Sequence, residues 1–454
     1  MRSPHSAQDS TPATTPSSGD LRRVLGHWDA VALIAGIMIG SGIFATPPQI
    51  ATSLDRFGPM ILVWLFGGLL AVCGALTYAE LAAMFPRTGG SVVFLKETYG
   101  RPPAFVYGWS TLLVTYPASI AAIAVVFAAY FKRLFPAITM SDGGVAAILT
   151  LALCGLNIIG VVLGARIQRT FTAAKIAALV ALIFFAATSG AGRVANLTPI
   201  WAAPSTGWRL GTLALAMASV MWTYEGWADG PSLSGECRDR RRDLPRALII
   251  GTFMVTGVYV LINAAYVYVL SIPGVAQSHS VAVDMAERTM GHYGGLFVDL
   301  LIVASTAGSV NGSVISGSRV VFGMSREGLF FEPVGRAHRR LQTPANALVI
   351  LGLATAVYCL LGTFDQLIRY FVFVAMIWFV MNIAAVFILR VRRPGADRPF
   401  RVPLYPLTPA IFLLAALGLM YQLFRENTRD SAIGLALLAA SLPTYWLWRR
   451  SHRA

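Results

Sequence analysis

Polar and apolar positions fall into long blocks along this chain rather than alternating residue by residue. Apolar runs of about 20 residues recur, parted by short polar pieces, and each is long enough for an α-helix to cross a bilayer. The pattern predicts twelve spans, at 29–50, 59–84, 104–131, 145–164, 168–189, 209–231, 247–270, 294–322, 345–362, 366–389, 404–424 and 432–448. Pro59, Pro102, Pro103, Pro136, Pro344, Pro403 and Pro406 mark span ends. The first and sixth spans are interrupted. Gly36, Gly40, Ser41 and Gly42 sit mid-run in the first, with Pro47 and Pro48 near its end; the stretch from Trp222 to Pro231 breaks the sixth.

Each glycine weakens a helix by about 1 kcal/mol relative to alanine. Clustered at mid-membrane depth, such residues fit two arrangements. One is close helix packing through small side chains. The other is unwound backbone, tolerated only inside protein or along a cavity. There the freed N–H groups face something negative, helped by the positive end of the following half-helix. Five spans followed by five would place the second half upside down relative to the first. Interrupted helices at matching positions of two inverted halves point to a transporter site. The long third and eighth spans fit the same pairing. The expected organisation is a disordered tail at 1–27, a first repeat at 28–190, an inverted repeat at 208–390, two further helices at 403–448 and a short tail at 449–454.

Composition agrees with this reading. The chain has 454 residues, 56% hydrophobic and 13% charged, against about 25% charged in soluble domains. Its net charge of +15 could suggest nucleic acid, but the basic residues lie in short loops between apolar runs. Arg238, Arg240, Arg241, Arg242 and Arg246 form one such cluster, and Arg390, Arg392, Arg393, Arg398 and Arg401 another. Most basic residues fall on the side that holds the N-terminus. The positive-inside rule therefore places both termini in the cytoplasm, as an even number of spans requires. No apolar run precedes Val31, so no cleavable signal peptide is expected. Cys73, Cys154 and Cys359 fall inside apolar runs and Cys237 in a basic loop; none has metal-ligand spacing, and no cofactor is expected.

Five motifs in order resemble the amino acid–polyamine–organocation superfamily. They are Ile39 to Phe44; Tyr78 to Leu81 with Phe85 to Gly90; Trp222 to Trp227 with Glu236 and Leu244 to Ala247; Asn311 to Ser313 with Ser318, Arg319 and Arg326 to Gly328; and Arg398 to Pro403 with Tyr405 and Pro406. The closest resemblance is to the L-type amino acid transporters and their bacterial relatives. It implies an all-α leucine-transporter-like fold and exchange or uptake of L-amino acids across the plasma membrane, with no catalysis. It also implies substrate contacts from Ile39, Gly40, Ser41, Gly42 and Ile43, whose N–H groups would meet a carboxylate. Trp222, Thr223, Tyr224, Glu225 and Gly226 would form the facing segment, offering carbonyls to an ammonium, with Trp222 as a lid. Residues 132–144 contain no cysteine, so no disulfide-linked heavy chain is expected as partner. Glu225 departs from the small residue many relatives carry there.

Three further groups stand out. Lys175 is the one cation placed deep in a span, among Ala173, Ala174, Ala177 and Ala178. It must face the bundle interior and find oxygen acceptors, most obviously the unwound carbonyls of the first span. In the resembling family this lysine stands where sodium-coupled relatives hold a sodium ion. Glu225 is a carboxylate near mid-membrane that could take a proton, pair with a base or hold a cationic substrate. Glu80, Glu236 and Arg319 lie at span ends on the N-terminal side and suit ion pairing at an inner gate. Asp299 is expected near the outer mouth in solvent, Asn311 as a bond between helices, and Ser305 and Thr306 in the hydroxyl-ligand region of sodium-coupled relatives. The leading expectation is sodium-independent exchange of neutral amino acids; the alternative is proton-coupled uptake of amino acids, amines or polyamines. A channel would not need two broken helices, and a membrane enzyme would need a catalytic cluster that the spans lack.

Overall fold

A computed structural model describes residues 21, 23–201, 210–239, 241–361, 364–426 and 428–451. The expected disordered stretch 1–20, the start of the sixth span and residues 452–454 lie outside them. The regular structure among the described residues is helical, apart from one isolated bridge between Leu25 and Cys237.

The first span is α1 (His27–Met38), a short gap, α2 (Gly42–Ala45) and α3 (Pro47–Ser53). The second is α4 (Phe57–Met84), followed by the short α5 (Ser91–Tyr99). The third runs through α6 (Arg101–Ser110), a π-turn at Thr111–Thr115 and α7 (Tyr116–Leu134). Next come α8 (Asp142–Ile159) and α9 (Val161–Thr188). The sixth span is α10 (Leu210–Tyr224), then a 3-10 segment, Trp227–Glu236. The rest is α11 (Asp243–Leu270), the short α12 (Ile272–Gln277) and α13 (Val281–Met290), α14 (His292–Arg326), α15 (Ala345–Leu361), α16 (Phe364–Arg392), α17 (Leu407–Glu426) and α18 (Thr428–Ser451). All twelve expected spans have a helical counterpart, so this is a polytopic membrane protein of about 12 helices.

The bundle's outer surface is apolar. On α4, Leu62, Leu65, Phe66 and Leu69 are exposed at helical spacing, while Trp64, Gly67, Gly68 and Ala71 on the other face are buried. That pattern is the inverse of a soluble helix and suits lipid on the outside. Small residues let the spans approach: a Cβ on Gly74 would press into the ring of Trp227. The π-turn in the third span has a covalent cause. Pro117 has no N–H to give the carbonyl four residues back, at Leu113. Tyr358 of α15 donates to that carbonyl instead, at 2.7 Å. At 35 residues, α14 is about 52 Å long at 1.5 Å per residue, longer than the hydrocarbon layer is thick. Its last turns thus reach the loops that carry the basic residues.

Cys237 lies in the loop before α11, as expected, and is fully buried there, because Leu25 N–H donates to Glu236 O and Arg238 N–H to Leu25 O, folding the chain before α1 over it. One expectation is corrected: Asp299 is not solvated. It is 8% exposed, and Arg133 of the third span reaches it at 3.4 Å.

Candidate functional site

A helix end leaves its last carbonyls without intrahelical donors and its first N–H groups without acceptors. The first span does this in mid-protein. At the gap, Ile39 leaves helical geometry (φ −78°, ψ 76°) and α2 restarts at Gly42. Carbonyls on the α1 side turn toward α9 and α14. The Lys175 ammonium donates to Gly36 O and Ile39 O, both at 2.7 Å, to Ser305 O at 3.0 Å and to Ser309 Oγ at 3.1 Å. The hydroxyls of Ser305 and Ser309 donate to the same first-span carbonyls. Lys175 is fully buried. Its ammonium has three donors, so the carbonyl cage can accept all its protons. Thr306 points elsewhere, bonding Ile302 O on its own helix. Ser309 was missed, although it lies one helical turn from Ser305 and so on the same face.

On the other side of the gap, the sixth span's break lies against the first. Helix α10 ends at Tyr224, and Gly226 turns the chain with φ +123°, a conformation a side chain would strain. A Cβ there would also stand 2.8 Å from Met38 N. A Cβ on Gly42 would stand 2.7 Å from Thr223 Oγ1 and 3.0 Å from Thr223 Cα. Thr223 Oγ1 is 3.1 Å from Thr46 Oγ1. The two interruptions are therefore one place in the fold.

That place borders a cavity lined by Met38, Gly40, Ser41, Gly42, Trp222 and Thr223, and also by Ser119, Glu225 and Ser313. The Ser41 hydroxyl is buried and has no hydrogen-bond partner among the described residues. A second cavity shares Ser119, Glu225 and Ser313 and continues to Tyr107, Tyr116 and Asp229. Glu225 thus stands between the two, with no ion pair among the described residues. Asp229 drew no attention in the sequence. Tyr116 donates to its carboxylate at 2.6 Å, and Ser316 to its carbonyl at 3.0 Å. The four-residue spacing of Glu225 and Asp229 was the available signal. Tyr224 and Trp227, beside Glu225 in the chain, have their contacts elsewhere: Tyr224 donates to Trp64 O, and Trp227 packs on Tyr78, Phe379 and Phe412.

The three expected gate residues do not meet at one point. Arg319 and Glu236 form a two-pronged pair, 2.6 and 3.1 Å, with both side chains buried. Glu80 instead binds Arg390 at 2.7 and 3.0 Å and the Val402 N–H at 2.7 Å, tying α4 to the end of α16. Its partners come from the end of the tenth span and the loop after it, away from the helix that carries Arg319. Nearby, burial pushes the Glu97 carboxyl up, but the guanidiniums of Arg87 and Arg393 outweigh this and hold it below its ordinary range. Asn311 accepts from Asn157 and donates to Gln168, joining α8, α14 and α9 as expected of a bond between helices.

A family model described as amino acid permease matches residues 25–441. The chain is 32% identical to the mouse b(0,+)-type amino acid transporter 1 over 421 residues, covering 91% of this chain and 85% of that protein. It is also 32% identical to the mouse large neutral amino acids transporter small subunit 2 over 458 residues, covering 98% of this chain and 85% of the relative. The human b(0,+)-type transporter is 31% identical over 411 residues, covering 89% and 83%.

Proposed function

We propose, from the premise that this chain belongs to the amino acid permease family and transports amino acids, that it is a sodium-independent exchanger of neutral L-amino acids. The observation carrying this is the unpartnered Ser41 hydroxyl at the head of α2, facing the cavity beside Thr223 and Trp222. A carboxylate there would meet Ser41 and the free N–H groups at the start of α2, helped by the helix dipole. An ammonium would meet carbonyls freed at the end of α10. Hydrogen bonds to charged groups contribute about 1.5–3 kcal/mol each, so two helix ends suffice to hold a zwitterion. Trp222 covers it, and Ile39, Gly40, Ile43, Tyr224 and Gly226 shape the backbone around it.

Lys175 fills with a tethered ammonium the position a free cation would need, so no sodium is taken up. The two five-helix halves form an inverted repeat around this site, with both termini cytoplasmic in the plasma membrane. Opening toward the cytoplasm then requires the buried Glu236–Arg319 pair to part. No disulfide-linked heavy chain is needed.

Reconstitution in liposomes tests this. Uptake of labelled amino acid should require amino acid inside and be unchanged when choline replaces sodium. Uptake that ignores internal amino acid but follows a proton gradient would establish the second reading, proton-coupled uptake of amino acids or amines, which Glu225 favours by standing between the two cavities. Glu225→Gln separates them. An exchanger keeps its pH response and changes severalfold in apparent affinity or selectivity; a proton-coupled carrier loses its pH response, because an amide does not titrate. A variant unchanged in all three would remove Glu225 from the site.

A further inference from the structure

We propose that the loop between α14 and α15 binds an anionic phospholipid of the cytoplasmic leaflet, with its phosphate among Arg336, His338 and Arg339 and an acyl chain along α15. This rests on the membrane orientation given above and not on the substrate clamp. A groove at this loop is lined by Arg326, Arg336, His338, Arg339, Glu332 and Asn346, among others. The loop's own hydrogen bonds fix its frame. Ser325 donates to Phe331 O at 2.7 Å, Asn346 to Pro333 O at 2.9 Å and His338 N–H to Thr343 O at 2.9 Å. Three guanidiniums and an imidazole thus line the groove against one carboxylate among the described residues, Glu332. Arg336 pairs with that carboxylate at 2.7 Å, but both side chains are exposed, so the pair contributes little. Arg339 has no ion pair among the described residues; only its carbonyl is engaged, by Gln342. His338 accepts from Leu341 N–H at Nδ1, 3.2 Å, which puts its own proton on Nε2. A guanidinium presents paired N–H groups that match two oxygens of a phosphate.

The helix beyond the groove favours a lipid over a free anion. Asn346, Val349, Leu353, Val357 and Leu360 are spaced three or four residues apart, so they share one face of α15, and all are exposed. The opposite face, with Leu348, Leu351, Thr355 and Cys359, is buried. The stripe therefore begins in the groove, at Asn346, and continues as an apolar strip turned out of the bundle. From Val349 to Leu360 it rises about 16 Å at about 1.5 Å per residue. One leaflet supplies about half of a hydrocarbon core about 30 Å thick, a close match. Phe331, exposed in the same loop, lies edge-on to Trp448 of α18 at 4.8 Å. Tryptophan settles at the headgroup level of a bilayer, which is where a phosphate would stand. A soluble anion would use the cations and leave the strip bare; a phospholipid uses both.

The test is lipid binding by the purified full chain, read by native mass spectrometry with phosphatidylglycerol or phosphatidylcholine added. The unmodified protein should bind one phosphatidylglycerol about tenfold more tightly than phosphatidylcholine. Combining Arg336→Gln with Arg339→Gln should erase that preference. Combining Arg246→Gln with Arg401→Gln removes the same charge from exposed positions elsewhere on the cytoplasmic side, and should leave the preference within twofold. Leu353→Asn should weaken phosphatidylglycerol binding severalfold with every cation in place. All four arginines are exposed, so the protein should fold without them; Arg339→Gln alone, which breaks no ion pair among the described residues, should already lose most of the preference. Three results would overturn the proposal. One is a preference that survives in the groove variants. Another is equal loss in both double variants, as general charge attraction would give. The third is displacement of the lipid by millimolar inorganic phosphate with no effect of Leu353→Asn, as a free-anion site would give. Transport does not enter the readout, so failure of this site and failure of the clamp are told apart.

Discussion

Replacing Lys175 with alanine should cut initial uptake about 100-fold, while exchanging sodium for choline around the unmodified protein should change uptake less than twofold. The magnitude comes from the ammonium's partners. Gly36 O, Ile39 O and Ser305 O all lose a charged donor, and only the first two keep serine hydroxyls. A buried carbonyl left short of its partner costs about 1–3 kcal/mol. Three such losses, each near the low end, give about 3 kcal/mol, and about 1.4 kcal/mol is tenfold. The loss falls on the gap whose shape the substrate needs, so it should show in transport before membrane insertion. Initial rates on matched amounts of both proteins, in both salts, decide this. A strict sodium requirement, or a near-normal rate in Lys175→Ala, would defeat the tethered-cation model.

Gly42→Val should abolish transport, leaving below about 1% of the normal rate, with the protein still inserted. A bare Cβ at this position would already stand 2.7–3.0 Å from the side chain and Cα of Thr223. Valine adds two methyl groups, rigid at χ1, to a Cβ that already presses on the sixth span. Overpacking of this kind costs about 1–3 kcal/mol, and here the strain is relieved only by separating the two breaks. The cavity wall would move with them, and the N–H groups at the head of α2 would lose their aim. Binding of labelled amino acid to the purified variant should be undetectable at concentrations that saturate the unmodified protein. Unchanged affinity would take the first span out of the site.

Some of this geometry was legible because the physics is local or obligatory. A lone ammonium among alanines has to find oxygen acceptors inside the bundle, and a first span studded with glycine is the place where carbonyls come free. Lys175 meets Gly36 O and Ile39 O for that reason. Tyr259 was not legible. A tyrosine in a span reads as one more apolar residue until its hydroxyl is seen between Met38 O and Thr223 O, 221 and 36 residues away along the chain. Asp229 was passed over for the same reason: the span reads as broken there, and nothing local names Tyr116 as its partner.

By itself, then, the order of amino acids determined the features that hydropathy and backbone chemistry impose. Runs of some 20 apolar residues make membrane-length helices, glycine and proline interrupt two of them, and charge crowds into loops. Only the tertiary structure decided which surfaces meet. That Gly42 faces Thr223, that Glu236 takes Arg319 while Glu80 takes Arg390, and that Leu25 closes over Cys237 all depend on side chains brought together from distant parts of the chain. Every span is apolar around most of its surface, so periodicity cannot say which face is turned inward. Close packing of small residues and the need to pair each buried polar group settle it instead.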